Sequence, residues 1–463
     1  MFGWLHLAIE RWARAKSSTQ GKIVNHMPLW YVRQLSQMKL VRMLRYVYRK
    51  SAAQRRSWNN AGLKLGDIRS AEALEYIPLT TGAQLAERPE DYICVPREEL
   101  IHILTTSCTK GLRKTIYLTA DDFNHQVRTM GTHLGRFTGA RRVAAIFVIH
   151  DPTWSVGSVV RRSIAEAGML GFISGVHRSI EDHIDLIRRY QIDRLITSPS
   201  YLGRLTFEAP KDVNVRSLGI RYIHLGTQPW SEEFRKQMEE IWGAKLIDGY
   251  GNNECACAIA SECLYQKGLH VSEPDFWIEI VEPATGKVLP EGDEGELVVT
   301  TLSRRGMPLI RYRTGDWGRL IPNQERCQCG LPLRKMGRIR GRVDDMLIVG
   351  AGHNLYPDEV DRAVLSVAGI TDYQLVVDKE DHKDVIRLTV EAKGAAEDLR
   401  NAVLKALLAI ESIGIPHGVS RTLIFGNIEI VVPGTLSQGR PKSIRIIDRR
   451  LTESPAKDAS ITY

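Results

Sequence analysis

The sequence contains no apolar run approaching the ~18 residues that a membrane-spanning helix needs. It also lacks any long tract of one charge. The 63 Lys and Arg outnumber the 54 Asp and Glu, leaving a net charge of +9. The basic residues are nonetheless scattered, and only pairs such as Arg161-Arg162 and Arg449-Arg450 stand together. A nucleic-acid partner is therefore not expected, and the charge suits anionic metabolites or simple solubility. Cysteine is sparse and odd in number, seven residues in 463, which argues against a disulfide framework. Met1 to Lys16 places Leu5, Ile9 and Trp12 at helical spacing, with Glu10 and Arg11 interrupting them. This pattern predicts a helix packed on its own domain, with a membrane-surface helix as the alternative, and not a signal peptide. The cytoplasm is the expected location.

The chain is long enough for two or more domains, and a 43% apolar content is ample for their cores. Leu29 to Leu63 reads as helical. From residue 140 to 205, runs of strand and helix alternate, with Val143 to Ile149, Ile180 to Tyr190 and Arg194 to Thr197, and Ile220 to Leu225 reads as another strand. Such repetition predicts an α/β fold with a largely parallel sheet, whose ligands sit at the carboxyl ends of the strands. Phe276 to Val281 and Gly295 to Thr301 flank a turn and suggest a small antiparallel subdomain. The last 120 or so residues mix strand and helix.

Polar motifs punctuate these elements. Thr105 to Lys114 combines hydroxyls with several cations, suited to phosphates. Asp248-Gly249-Tyr250-Gly251-Asn252-Asn253-Glu254 offers a ring for stacking and a hard oxygen donor for Mg²⁺. Tyr312-Arg313-Thr314-Gly315-Asp316 places a carboxylate where a strand would give way to a turn, able to accept hydrogen bonds from a cis-diol. Gly341-Arg342-Val343-Asp344-Asp345 reads as a charged, glycine-led hinge. Cys263, His270, Cys327 and Cys329 form a Cys₃His set that suits tetrahedral zinc, although Cys-x-Cys is tighter than the commonest zinc spacing, and free thiols are the alternative. Cys255 and Cys257 read as pocket or core residues.

Taken together and in this order, the motifs resemble those of adenylate-forming enzymes, the superfamily of acyl-CoA synthetases and peptide-synthetase adenylation domains. The phenylacetate-CoA ligase-like branch is the most similar, and a related Cys/His pattern occurs there. The resemblance covers roughly Thr105 to Arg450. It implies ATP-dependent activation of a carboxylic acid, expected to be aromatic, to an acyl-adenylate, then transfer to a thiol, expected to be CoA. Transfer to an amine or a carrier-protein thiol is the alternative. A nucleotide-binding protein without turnover is another, because Cys108 and Lys110 stand where the family has a glycine and a threonine.

By position, the resemblance assigns Ser107, Thr109 and Lys114 to the ATP phosphates. It gives Gly226, Thr227, Gln228, Tyr250, Gly251, Asn253, Asp316 and Arg338 to the nucleotide, and Glu254 to Mg²⁺. His150, Trp154 and Tyr201 would line the acyl pocket. The implied fold is a large domain, residues 1–341, and a small mobile α+β domain, residues 342–463, pivoting at Asp344 and carrying the catalytic Lys442. Expected partners are a small carboxylate, ATP and the acceptor; a homodimer remains open.

Overall fold

The computed structural model describes residues 27–105, 114–137, 144–149, 155–175, 178–228, 230–322, 327–343, 347–350, 353–392, 396–436 and 445–450. Several sequence expectations fall outside these residues: the Met1–Lys16 helix, Ser107, Thr109, His150, Trp154, Asp344 and Lys442.

The chain divides into two compact units. One comprises residues 1–199, 214–229 and 238–343; the other comprises 200–213, 230–237 and 344–463. In the first, helices Leu29–Lys50 and Ala52–Asn60 precede a two-stranded hairpin, β1 (Leu100–Thr105) and β2 (Thr115–Thr119). Ser51 caps the second helix, its side chain accepting from Gln54 N, which satisfies a donor the helix itself cannot. Thr119 and Asp122 form a capping box that starts helix Ala120–Gly135 directly from β2.

The parallel core contains β3 (Ala144–Ile149), β4 (Leu170–Gly175), β5 (Arg194–Thr197), β6 (Tyr222–Leu225) and β7 (Lys245–Asn252). Its order is β4-β3-β5-β6-β7, all neighbours parallel. Helices Ser155–Glu166 and Ile180–Arg189 form the crossovers that parallel pairing requires. In the second of these, Ile180, Ile184 and Ile187 are buried at helical spacing.

The antiparallel strands extend the same sheet. β7 pairs in parallel with β6 on one side and antiparallel with β8 (Ala256–Glu262) on the other. Beyond lie β9 (Leu269–Val271), β10 (Phe276–Val281), β11 (Glu294–Thr301), β12 (Tyr312–Ile321), β13 (Lys335–Met336) and β14 (Gly341–Arg342). Leu118, Ile259, Val271, Leu297 and Met336 are buried in one shared core there. Truncating one such side chain to alanine removes roughly 2–5 kcal/mol. Because β7 belongs to both halves of the sheet, it fixes the parallel strand ends against the antiparallel motifs.

The second unit contains hairpin β15 (Leu347–Val349) and β16 (His353–Leu355), then a four-stranded sheet. Its strands are β17 (Ile370–Glu380), β18 (Lys383–Ala392), β19 (Leu423–Val431) and β20 (Ile446–Asp448), in the order β19-β18-β17-β20. The central pair is antiparallel and both outer pairings are parallel. Helices Pro357–Leu365 and Ala396–Leu408 bury Val360, Val364, Val403 and Leu407 in the core of this unit. No single described helix is long and apolar enough to cross a membrane. One pair bent by 96°, Glu397–Leu408 with Glu411–Val419, has the length and composition, and its apolar residues include the buried Val403, Leu407 and Ile413.

Candidate functional site

Asp316 lies inside strand β12, not after it, so the expected turn at this motif is corrected. The physical reason is a bulge. β11 and β12 pair at Glu296–Trp317 and again at Val298–Arg313, with extra residues on β12 between these points. Gly315 takes the left-handed conformation there, with φ of 73°. A Cβ on it would come within 2.8 Å of the Arg342 guanidinium. The bulge is held by Thr314 Oγ1 donating to Leu297 O at 2.8 Å and Gly315 N donating to Glu296 Oε1 at 3.1 Å. The Gly341-Arg342 pair, expected in a turn, is strand β14, with Arg342 opposite Asp316.

The bulge aims Asp316 at β7. Tyr250 donates its hydroxyl to Asp316 Oδ2 at 2.7 Å. Burial, and then the Asp316 charge, hold the Tyr250 phenol well above its usual range. The phenol therefore stays protonated and serves as a fixed donor. Gly251 follows on the strand where no side chain fits, since a Cβ would lie 2.3 Å from Cys257 O. Gly226, Thr227 and Gln228 leave the end of β6, whose Leu225 pairs with Asp248 of β7. Thr227 adopts a positive φ of 72°, a tight departure uncommon for a branched residue. The strand order therefore brings this segment beside Gly249-Tyr250.

The second half of the clasp is an ion pair. Lys114 Nζ lies 2.5 Å from Glu254 Oε1. Tyr312 OH donates to the same oxygen at 3.1 Å and is 3.2 Å from Lys114 Nζ. Burial, then the Glu254 charge, push the Tyr312 phenol up. The two residues matched to phosphate and to Mg²⁺ thus neutralise each other. Asn253 is half-buried in the turn just before Glu254, and Cys255 N donates to Asn252 Oδ1 at 2.7 Å. Below the turn, the buried Arg304 guanidinium donates to the carbonyls of Glu254 and Cys255. Tyr312 and Arg304 were not singled out from sequence. Tyr312 opens the Tyr-Arg-Thr-Gly-Asp motif, so its signal was present; Arg304 sits in an ordinary Ser-Arg-Arg run and had none.

Arg338 lies on the other flank, 3.5 Å from Asp248 and 3.8 Å from Glu262. Tyr201 belongs to helix Pro199–Phe207 in the second unit, where it is buried with the Arg204 guanidinium over its ring.

A separate cluster stands at the far side of β8. Cys263 follows that strand, His270 is central in β9, and Cys327 and Cys329 lie in the loop before β13. β9 pairs with both β8 and β13 at His270. One ligand atom from each of the four residues lies within 4.8 Å of the others. Cys263 and Cys327 sulfurs are 3.8 Å apart, and Cys329 Sγ is 3.3 Å from His270 Nε2. A tetrahedral centre with Zn–S near 2.3 Å needs about this sulfur–sulfur spacing, so the donor set fits zinc. The Cys329–Cys263 hydrogen bond holds the Cys263 thiol well below its usual range and pushes Cys329 up. Burial lowers the nearby Arg136 to about 10, while the charges of Cys329 and Cys263 oppose that shift.

The parallel core, the clasp and the small second unit together define a class. The profile of the AMP-binding enzyme family matches residues 42–303, and that of the AMP-binding enzyme C-terminal domain matches 352–450. The chain belongs to this family and is an ATP-dependent acid–thiol ligase. Within it, the chain is similar to the phenylacetate-coenzyme A ligase of Thermus thermophilus, 33% identical over 79% of this chain and 82% of the relative. It is also 29% identical to that of Pseudomonas putida over 88% and 92%. Its fold is similar to 2-hydroxyisobutyryl-CoA ligase in the postadenylation state, with a TM-score of 0.78 and 21% identity over 92% of this chain and 91% of the other. The resemblance read from the motifs to the phenylacetate-CoA ligase-like branch is therefore borne out.

Proposed function

We propose that the protein activates an aromatic carboxylic acid with ATP and transfers the acyl group to CoA. One observation carries this reading. Tyr250–Asp316 and Lys114–Glu254–Tyr312 converge at the end of β7, in a chain similar over most of its length to phenylacetate-coenzyme A ligases. The Tyr250 ring stacks on adenine while its hydroxyl steadies Asp316. Asp316 uses its remaining acceptor capacity on the ribose diol. ATP arrives as a polyanion, so Lys114 turns from Glu254 to the phosphates, and Glu254 is freed for Mg²⁺. That ion would neutralise phosphate charge when bound.

A carboxylate oxygen of the acid attacks the α-phosphorus, and the bond to pyrophosphate breaks. Lys114 and Lys442 stabilise the charge that builds at phosphorus. The CoA thiolate then attacks the acyl carbon and AMP departs. The small unit reorients near Asp344 between these steps.

Cys263, His270, Cys327 and Cys329 hold structural zinc in this reading, stapling β8, β9 and the loop before β13. Three thiolates and an imidazole leave such a centre with one net negative charge, which Arg136 offsets.

Acid-dependent ATP–pyrophosphate exchange across aromatic and aliphatic acids tests the first step. CoA, an amine and a carrier-protein thiol supplied in turn test the second. Lys442→Ala is expected to lower exchange by roughly 10²–10³-fold. Exchange with no acid of the panel, or exchange at the wild-type rate in Lys442→Ala, defeats the proposal.

A further inference from the structure

No cations stand in a tract, yet the excess of positive charge is not shared evenly along the chain. Residues 27–66 contain nine Lys and Arg and no Asp or Glu. Taking these nine from the 63 in the chain leaves 54, equal to its 54 Asp and Glu. This one stretch therefore carries a charge as large as the whole net charge of +9.

The stretch folds as helices Leu29–Lys50 and Ala52–Asn60 and the turn after them. The first helix buries Val32, Leu35, Leu40, Met43, Leu44 and Val47. The opposite stripe is Trp30, Gln34, Met38, Val41, Arg45 and Arg49, at intervals of three or four, and none of these is buried. It is roughly 29 Å long at the rise of a helix. Trp30 keeps 64% of its surface exposed, and the Tyr31 ring meets it edge-on at 5.8 Å. Arg42 stands two turns before Arg49, on the same side of the helix.

The cations of this stretch divide by what they touch. Arg55 donates to the carbonyls of Tyr48 and Arg49 at 3.1 and 3.2 Å, satisfying acceptors at the negative end of the first helix. Arg45 donates to Ile68 O at 2.7 Å. Arg33, Arg42, Arg49 and Lys50 are exposed, and among the described residues no carboxylate pairs with them. Asp67, the first carboxylate after the stretch, is turned onto Lys64 N at 2.8 Å. The helix dipole accounts for Arg49 and Lys50 in the last turn, but Arg33 and Arg42 lie well before it. Crowded like charges work against a compact fold, and an anionic surface outside relieves that repulsion. The stripe also selects among anionic surfaces. Trp30, Met38 and Val41 gain by entering the boundary between lipid headgroups and acyl chains, whereas a phosphodiester backbone offers them no apolar contact.

We propose that the outer side of helix Leu29–Lys50 docks on an anionic lipid bilayer. The helix lies along the surface, Trp30 enters the headgroup layer, and Arg42 and Arg49 meet lipid phosphates. None of these residues belongs to the clasp or to the Cys/His cluster, so docking and catalysis are separable.

The test is flotation of the full-length enzyme with vesicles of phosphatidylcholine alone, or with about one third phosphatidylglycerol. The enzyme should float with the second and not the first, and raised salt should release it. Arg42→Gln combined with Arg49→Gln should weaken binding roughly 25-fold, about fivefold for each cation. Trp30→Ala should weaken it roughly tenfold while leaving the salt dependence unchanged. ATP–pyrophosphate exchange in solution should stay at the wild-type rate in all of these variants. No flotation with anionic vesicles, equal flotation with neutral ones, or full binding by the double arginine variant overturns the proposal. So does a short RNA or DNA duplex that strips the enzyme from the vesicles, since the face would then belong to nucleic acid.

Discussion

Two polar clusters flank β7 and β8, and they are built on opposite electrostatic terms. In the clasp, Lys114 and Glu254 cancel each other, and Tyr312 completes their hydrogen bonding. In the Cys/His cluster, the Cys263 and Cys327 sulfurs crowd to 3.8 Å, with His270 beside Cys329 and Arg136 nearby. A cluster that is neutral within itself holds its shape without ligand and must open to bind one. A cluster of crowded thiolates is held together by a cation. The first suits a substrate that comes and goes, and the second a metal that stays.

The largest expected effect falls on the second cluster. Metal analysis of the purified protein should give about one zinc per chain. Cys327→Ser, or exhaustive chelation, should remove it and lower the thermal midpoint by roughly 10 °C. Cys255→Ser is the control, since Cys255 is buried outside the cluster and should leave zinc content unchanged. Less than about half an equivalent of zinc in the wild type would erase the contrast between the clusters.

The clasp should respond in rate and not in stability. Lys114 and Glu254 keep 18% and 11% of their side-chain surface exposed, so water reaches the pair if one partner is lost. Lys114→Met is expected to slow ATP–pyrophosphate exchange by roughly 10²–10³-fold. Its thermal midpoint should stay within about 2 °C of wild type. A large drop in midpoint with near-normal exchange would mean that the pair is a structural brace, and the two clusters would then differ only in composition.

This contrast also marks what could be read from sequence. The Cys₃His set and the Tyr250, Glu254 and Asp316 motifs were visible because each needs particular residue types at short spacing. The strand–helix alternation gave the parallel core for the same reason: period and breakers are local. The Asp316 bulge was not visible. A glycine before an aspartate reads as a turn, and only the register of β11 against β12 turns it into an irregularity inside a strand. The ion pair of Lys114 with Glu254 joins residues 140 positions apart, and nothing local announces it. Arg304 was missed because its partners are backbone carbonyls, which have no signature in sequence.

The smallest expected effect separates the two flanks by pH. His133 and His224 are buried toward the Cys/His side, and the charge of His270 is felt at His133. Burial, and then Arg194, lower His224 to about 3; burial, and then Arg136, hold His133 well below its usual range. His224 Nε2 is buried with no hydrogen-bond partner among the described residues, so an apolar replacement gives up little. The folded protein refuses a proton that the unfolded chain accepts below pH ~6.5. Stability from a neutral buried histidine is therefore complete above that pH and is lost as pH falls toward the folded value. For His224 alone the loss between pH 7.5 and 5.5 is on the order of 1 kcal/mol. His224→Leu, loaded with zinc, should lose ~1–2 °C less thermal midpoint over that interval than the wild type. Equal losses would show that acid acts on the thiolates alone, and the histidines behind them would drop out of the comparison.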